Sequence, residues 1–217
     1  MTLTAKDASR RTREICALAP IVPVLVIEDV ADARPLAEAL IAGGLPALEV
    51  TLRTPAALDA IAAMAEVTGG HVGAGTLITP EDVRAAKRAG ATFGVSPGAT
   101  DALIAVCEEE ELPLLAGAAT ATEAMRLLER GYDMLKFFPA EASGGAPALK
   151  AIGAPLPQIT FCPTGGVSPD NVESYLSLPN VLCAGGSWVA PKKLIDAQDW
   201  AGIEALARAA AQSGKAG

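Results

Sequence analysis

Short apolar runs and amphipathic stretches alternate along almost the whole chain with few residues between them, and this rhythm constrains the fold more than any single residue. The runs at 22–27, 47–51, 72–75, 93–96, 114–116, 134–138, 159–162 and 181–184 read as buried strands. A strand covered on both faces is apolar throughout and has no reason to alternate. The stretches 29–42, 55–66, 80–89, 101–110 and 122–130 carry apolar residues at helical spacing. Several helix starts are marked. Thr79-Pro80-Glu81-Asp82 offers a capping hydroxyl, a proline in the first turn and two acids, and Ser168-Pro169-Asp170 repeats the design. Thr120 and Glu123 have capping-box spacing. Glycines follow the helical stretches at 43–44, 90 and 131, as left-handed caps require. Eight strands, each followed by a helical crossover, predict a (β/α)8 TIM barrel with a short N-terminal helix, in a single domain spanning 1–217. An open doubly wound sheet is the competitor, but no G-x-G-x-x-G follows the first strand.

Charge excludes two classes of partner. A formal charge of -8, with no basic stripe, opposes nucleic acid and anionic membranes alike. Arg10, Arg11 and Arg13 ahead of an apolar stretch superficially resemble a leader. Glu14, Pro20 and Pro23 interrupt that pattern, and a first helix followed by a buried strand explains the same residues. No run is long enough to span a bilayer, so the expectation is a cytoplasmic protein. Cys16, Cys107, Cys162 and Cys183 are scattered without a C-x-x-C pair and read as small core residues.

Function in such a barrel gathers where strands end. Lys136 lies inside the run Met134-Leu135-Lys136-Phe137-Phe138-Pro139, where a lysine is rarely found unless paired or used. Apolar surroundings push an ammonium toward its neutral form, and a free amine can form a Schiff base with a ketone. The bland alternative is a packed stem with its ammonium in water. The second strand ends with Glu49 and Arg53, the third with Thr76, and the fourth with Ser96-Pro97-Gly98. Taken singly, Glu49 and Arg53 could be an ion pair and Thr76 a helix cap; together they place polar groups at one rim. After the last two strands come Thr164-Gly165-Gly166-Val167-Ser168 and Gly185-Gly186-Ser187, glycine turns at the positions where this fold takes phosphate. His71 is the only histidine, so one chain cannot build a three-histidine zinc site, and neither a metal nor a cofactor is expected.

These motifs fall in the order of a known family. Leu48-Glu49-Val50-Thr51-Leu52-Arg53-Thr54, Gly73-Ala74-Gly75-Thr76, Ser96-Pro97-Gly98, Lys136-Phe137-Phe138-Pro139-Ala140-Glu141, Cys162-Pro163-Thr164-Gly165-Gly166 and Gly185-Gly186-Ser187-Trp188 together resemble the 2-dehydro-3-deoxy-6-phosphogluconate (KDPG) / 4-hydroxy-2-oxoglutarate aldolases from about residue 15 to residue 210. The resemblance implies a class I aldolase of the Entner–Doudoroff pathway that acts on a phosphorylated keto acid. Lys136 would be the Schiff-base lysine and Glu49 the general acid/base. Arg53 and Thr76 would contact the pyruvate half, Pro97 and Phe138 would line the pocket, and Gly165, Gly166, Gly186 and Ser187 would hold the phosphate. Thr164 is similar to the gluconate-series enzymes, whose galactonate relatives carry an apolar residue there. Ala116-Gly117 departs from the family's usual Pro-Gly. The resemblance also implies a homotrimer. A sibling aldolase of the galactonate or unphosphorylated series, and a non-catalytic barrel binding a phosphorylated metabolite, are the alternatives.

Overall fold

The computed structural model describes residues 2–214. Strands β1 (Ile21–Leu25), β2 (Ala47–Thr51), β3 (His71–Gly75), β4 (Phe93–Val95), β5 (Leu114–Ala118), β6 (Met134–Phe137), β7 (Thr160–Pro163) and β8 (Ala184–Gly186) pair in parallel. Their order is β7-β6-β5-β4-β3-β2-β1-β8, and bridges from Phe161 to Val181 and from Thr164 to Gly185 tie the two ends together. The sheet therefore closes into a barrel. Helix α1 (Ala5–Cys16) precedes it. Around it lie α2 (Ala33–Ala42), α3 (Ala57–Ala65), α4 (Pro80–Arg88), α5 (Asp101–Glu109), α6 (Ala121–Arg130), α7 (Gly145–Gly153), α8 (Val172–Leu176), α9 (Lys192–Asp196) and α10 (Trp200–Ala210). The (β/α)8 barrel with a short N-terminal helix is the fold that the sequence pattern predicts.

Strand side chains alternate between faces, and the core divides accordingly. On β6, Leu135 and Phe137 join the large cluster between strands and helices, whereas Met134 faces the barrel interior. The interior cluster contains Val22, Ala47, Phe93, Val95, Leu115, Met134, Cys162 and Cys183, together with Ile15 and Cys16 from the end of α1. The first helix thus plugs the N-terminal mouth. It is held there by Ser9, whose hydroxyl donates to Asp133 at 2.7 Å and accepts from the Asp133 and Met134 amides at 2.9 and 3.0 Å. Arg13 donates to Thr160 at 2.8 Å and pairs with Asp133 at 3.1 Å. Cysteines 16, 162 and 183, distant in sequence, meet in this interior as free, buried thiols.

Local chemistry explains the helix ends. Thr79 with Asp82, and Thr120 with Glu123, form reciprocal capping boxes. Gly44, Gly90 and Gly131 adopt the left-handed conformation expected after helices. Ser168-Pro169-Asp170 behaves differently from its expected cap. The Ser168 carbonyl accepts from the Asn171 and Val172 amides, forming a turn, and the helix starts only at Val172. The eighth strand also moves. It is expected at 181–184 but runs over Ala184–Gly186, pairing Ile21, Val22 and Pro23 with Ala184, Gly185 and Gly186.

Candidate active site

Glu49 is the central residue of β2 and Lys136 the third residue of β6, strands on opposite sides of an eight-stranded barrel. Period-two alternation puts Glu49 on the same inward face as Ala47, and Lys136 on the same face as Met134. Both side chains rise above the apolar plug and meet. The Lys136 Nζ donates to Glu49 Oε1 at 3.2 Å, with the two residues only 5% and 2% exposed. The lysine that the sequence placed among apolar side chains therefore has a carboxylate partner. A buried opposite-charge pair is costly to desolvate and is weak evidence for a purely structural role. The ammonium also lies 5.2 Å from the centroid of the Phe138 ring.

Small residues make room for this pair. A methyl group on Gly75 would lie 2.7 Å from Glu49 Cγ and 2.8 Å from its Cδ, so a glycine on the neighbouring strand gives the carboxylate its place. Immediately after it, Thr76 has φ 64°, a conformation that strains a β-branched residue and that surrounding structure must enforce. On β2, Thr51 donates to the Leu25 carbonyl at 2.8 Å and accepts from Arg53 Nε at 3.1 Å. This relay fixes the direction of an otherwise exposed guanidinium.

The pair opens into a cavity of about 300 Å³ at the C-terminal end of the strands. Its walls include Glu49, Arg53, Thr76, Pro97, Lys136, Phe138, Thr164, Gly165, Gly166 and Ser187, bringing together ten of the residues singled out in the sequence. Gly186 is the exception. It lies behind the wall, where a side chain would collide with the Trp188 ring, and its neighbour Gly185 takes the lining position. Packing of the tryptophan is sufficient to require a glycine there. Thr51 was missed, although it shares the inward face of β2 with Glu49 and two-residue spacing points to it. Val24 and Val167, also in the wall, carry no polar signal that a sequence could reveal.

The turn after β7 is a candidate anion cradle. Gly165 and Gly166 have φ of 100° and 77°, open to glycine at little cost. The Thr164 and Gly165 carbonyls accept from the Ala140 and Glu141 amides at 2.8 and 3.0 Å, and the Gly166 carbonyl accepts from Asn171 Nδ2 at 3.0 Å. A trans peptide points its carbonyl and the following N–H in opposite directions. Tying back these carbonyls therefore turns the amides of residues 165, 166 and 167 the other way, and all three residues line the cavity. Successive backbone amides of a glycine turn suit a phosphate.

Comparison with known proteins identifies the family of the chain. Residues 12–206 match the family model for KDPG and KHG aldolase. The 2-dehydro-3-deoxy-phosphogluconate aldolase of Pseudoalteromonas atlantica is 52% identical over 200 residues, covering 92% of this chain and 93% of the relative. The crystal structure of the 2-keto-3-deoxy-6-phosphogluconate aldolase of Zymomonas mobilis with 3-phosphoglycerate is similar at TM-score 0.89 and 50% identity, over 94% of this chain and 96% of that one. The KDPG aldolase from Legionella pneumophila, with pyruvate captured at low pH as a covalent carbinolamine intermediate, matches at TM-score 0.89 and 46% identity, over 92% and 97% of the two chains.

Proposed function

The chain belongs to the KDPG and KHG aldolase family, and from that membership we propose that it is a class I aldolase cleaving 2-dehydro-3-deoxy-6-phosphogluconate to pyruvate and glyceraldehyde 3-phosphate. Cleavage of 4-hydroxy-2-oxoglutarate to pyruvate and glyoxylate is part of the same proposal. The observation that carries it is the buried Lys136–Glu49 pair at the floor of the cavity.

Each group has a step. Glu49 accepts a proton from the Lys136 ammonium, and the freed amine attacks the C2 ketone. Glu49 returns that proton to the carbinolamine hydroxyl, which departs as water and leaves a protonated imine. The carboxylate then takes the proton of the C4 hydroxyl. The C3–C4 bond breaks, its electrons flow into the imine to form an enamine, and glyceraldehyde 3-phosphate is released. Glu49 reprotonates C3, and water hydrolyses the imine to free pyruvate. One carboxylate 3.2 Å from the nitrogen is in reach for these transfers.

Arg53, oriented by Thr51, grips the substrate carboxylate, and Thr76 assists it. Phe138 and Pro97 flank the imine, while Gly165, Gly166 and Ser187 receive the phosphate at the far side of the cavity, with Thr164 between. A homotrimer and a cytoplasmic location complete the proposal. Val26, Ile78 and Met125 supply exposed apolar surface for contact between copies, and no helix among the described residues is long and apolar enough to cross a membrane.

Borohydride reduction in the presence of pyruvate tests the chemistry. A single reduced pyruvyl adduct on the peptide containing Lys136, absent from Lys136→Met, is the expected result. An adduct on another lysine, or none, would overturn the assignment.

A further inference from the structure

Glu141 closes the segment after Lys136, yet the reaction leaves it without a task, and it does not line the cavity. Its surroundings assign one. The Tyr175 hydroxyl donates a hydrogen bond to Glu141 Oε1, and Tyr175 is fully buried in α8. Burial, and after it the bond and charge of Glu141, push the phenol upward, so Tyr175 remains a donor at every physiological pH. The stem of Glu141 lies directly behind the anion cradle: a methyl group on Gly166 would be 2.7 Å from both Cβ and Cγ of Glu141. The Glu141 amide also holds the Gly165 carbonyl at 3.0 Å.

We propose that Tyr175 and Glu141 are a positioning pair that sets the phosphate affinity of the Gly165–Gly166 turn, and with it the preference for phosphorylated substrate. The inference rests on the reading of that turn as the phosphate site. Two effects combine. Anchored by Tyr175, the Glu141 stem is a backstop that fixes the peptide planes of Gly165 and Gly166, so their amides converge without reorganisation. Anchoring also keeps the carboxylate on the far side of the turn. Released, the carboxylate can swing toward the cradle, where like charge opposes the phosphate.

The test compares 2-dehydro-3-deoxy-6-phosphogluconate with its unphosphorylated analogue, 2-dehydro-3-deoxygluconate, in the full-length enzyme. Tyr175→Phe should raise KM for the phosphorylated substrate about tenfold, the scale of one hydrogen bond to a charged acceptor, with kcat nearly unchanged. Cleavage of the analogue and reductive trapping with pyruvate should stay as in the parent enzyme. Glu141→Ala should match Tyr175→Phe, whereas Glu141→Gln, whose amide oxygen still accepts from Tyr175, should keep the parent KM or lower it. Equal losses on both substrates would mean general damage and overturn the proposal, as would no change on either. A parent enzyme that does not distinguish the two substrates would instead remove the phosphate reading on which the pair depends.

Discussion

Gly75→Ala isolates the position of the Glu49 carboxylate from its identity. The backbone at Gly75 lies outside the left-handed region, so alanine meets no conformational penalty, only a spatial one. The new methyl would lie 2.7 Å from Glu49 Cγ and 2.8 Å from Cδ, and closer still to Oε1. Ordinary carbon–carbon contact begins at about 3.5 Å, so the carboxylate must retreat by at least about 0.7 Å. The Lys136 Nζ to Oε1 separation starts at 3.2 Å, so a retreat of that size away from Lys136 takes it past hydrogen-bonding distance. Displacement near 1 Å at a reacting group costs on the order of 10²-fold in rate. Overpacking the barrel should also destabilise the fold by about 1–3 kcal/mol.

The assay is steady-state cleavage coupled to pyruvate detection, with thermal unfolding and borohydride trapping in parallel. We expect kcat to drop about 10²-fold while the Lys136 adduct still forms. Gly73→Ala is the control, because its methyl would meet the Phe93 ring on the layer below and not the carboxylate. It should cost comparable stability and much less kcat. If the two variants lose kcat equally, or if Gly75→Ala keeps kcat within about threefold in a folded protein, placement of Glu49 is not what the cavity is built around.

The remaining expectations concern single groups. Glu49→Gln should lower kcat by about 10²- to 10⁴-fold while leaving reductive trapping at Lys136 measurable; unchanged turnover refutes its proton-transfer role. Thr51→Val removes both the bond to Leu25 and the acceptor for Arg53. It should raise KM by about tenfold with little change in kcat, and an unaltered KM would show that Arg53 needs no guide. Bonds from the Ala119 amide, and then from Thr120, hold Glu123 below its ordinary 4.5, against partial burial. A depressed carboxylate stabilises the fold above its unfolded value and ceases to do so as pH falls through its folded value. Chemical denaturation between pH 6 and 3 should therefore show Glu123→Gln losing less stability on acidification than the parent; parallel curves would contradict this.

Much of the architecture was readable because its physics is local. Buried parallel strands are apolar throughout, and capping boxes at Thr79 and Thr120 mark helix starts with their own hydrogen bonds. Lys136 and Glu49 stood out because charge inside apolar runs demands a reason. Their meeting at 3.2 Å was not local, since it depends on β2 and β6 facing each other across a closed barrel. The eighth strand was displaced for a comparable reason. Gly185 and Gly186 read as a turn, yet they are ladder residues that stay small because Thr164 and Trp188 press against them. The Ser168-Pro169-Asp170 cap failed because Asn171 captures the Ser168 amide at 2.8 Å, making a turn before the helix can begin. Glu141 was visible only as part of a motif, because its partner Tyr175 is 34 residues away.

The α1 plug has a kinetic consequence. With Ile15 and Cys16 packed among the side chains below Lys136, the reaction chamber is a dead end with one door. Traffic through it must queue. On the proposed mechanism pyruvate stays tethered to Lys136 after the C3–C4 bond breaks, so the phosphorylated product leaves first. The water that frees pyruvate enters by the route that product has just vacated. In the synthetic direction the queue reverses, and pyruvate must load before the aldehyde. Product inhibition should carry that signature: pyruvate competitive with the sugar phosphate, and the aldehyde phosphate noncompetitive. A leak through the floor, opened by trimming Ile15 to alanine, would blur the order without touching any reacting group.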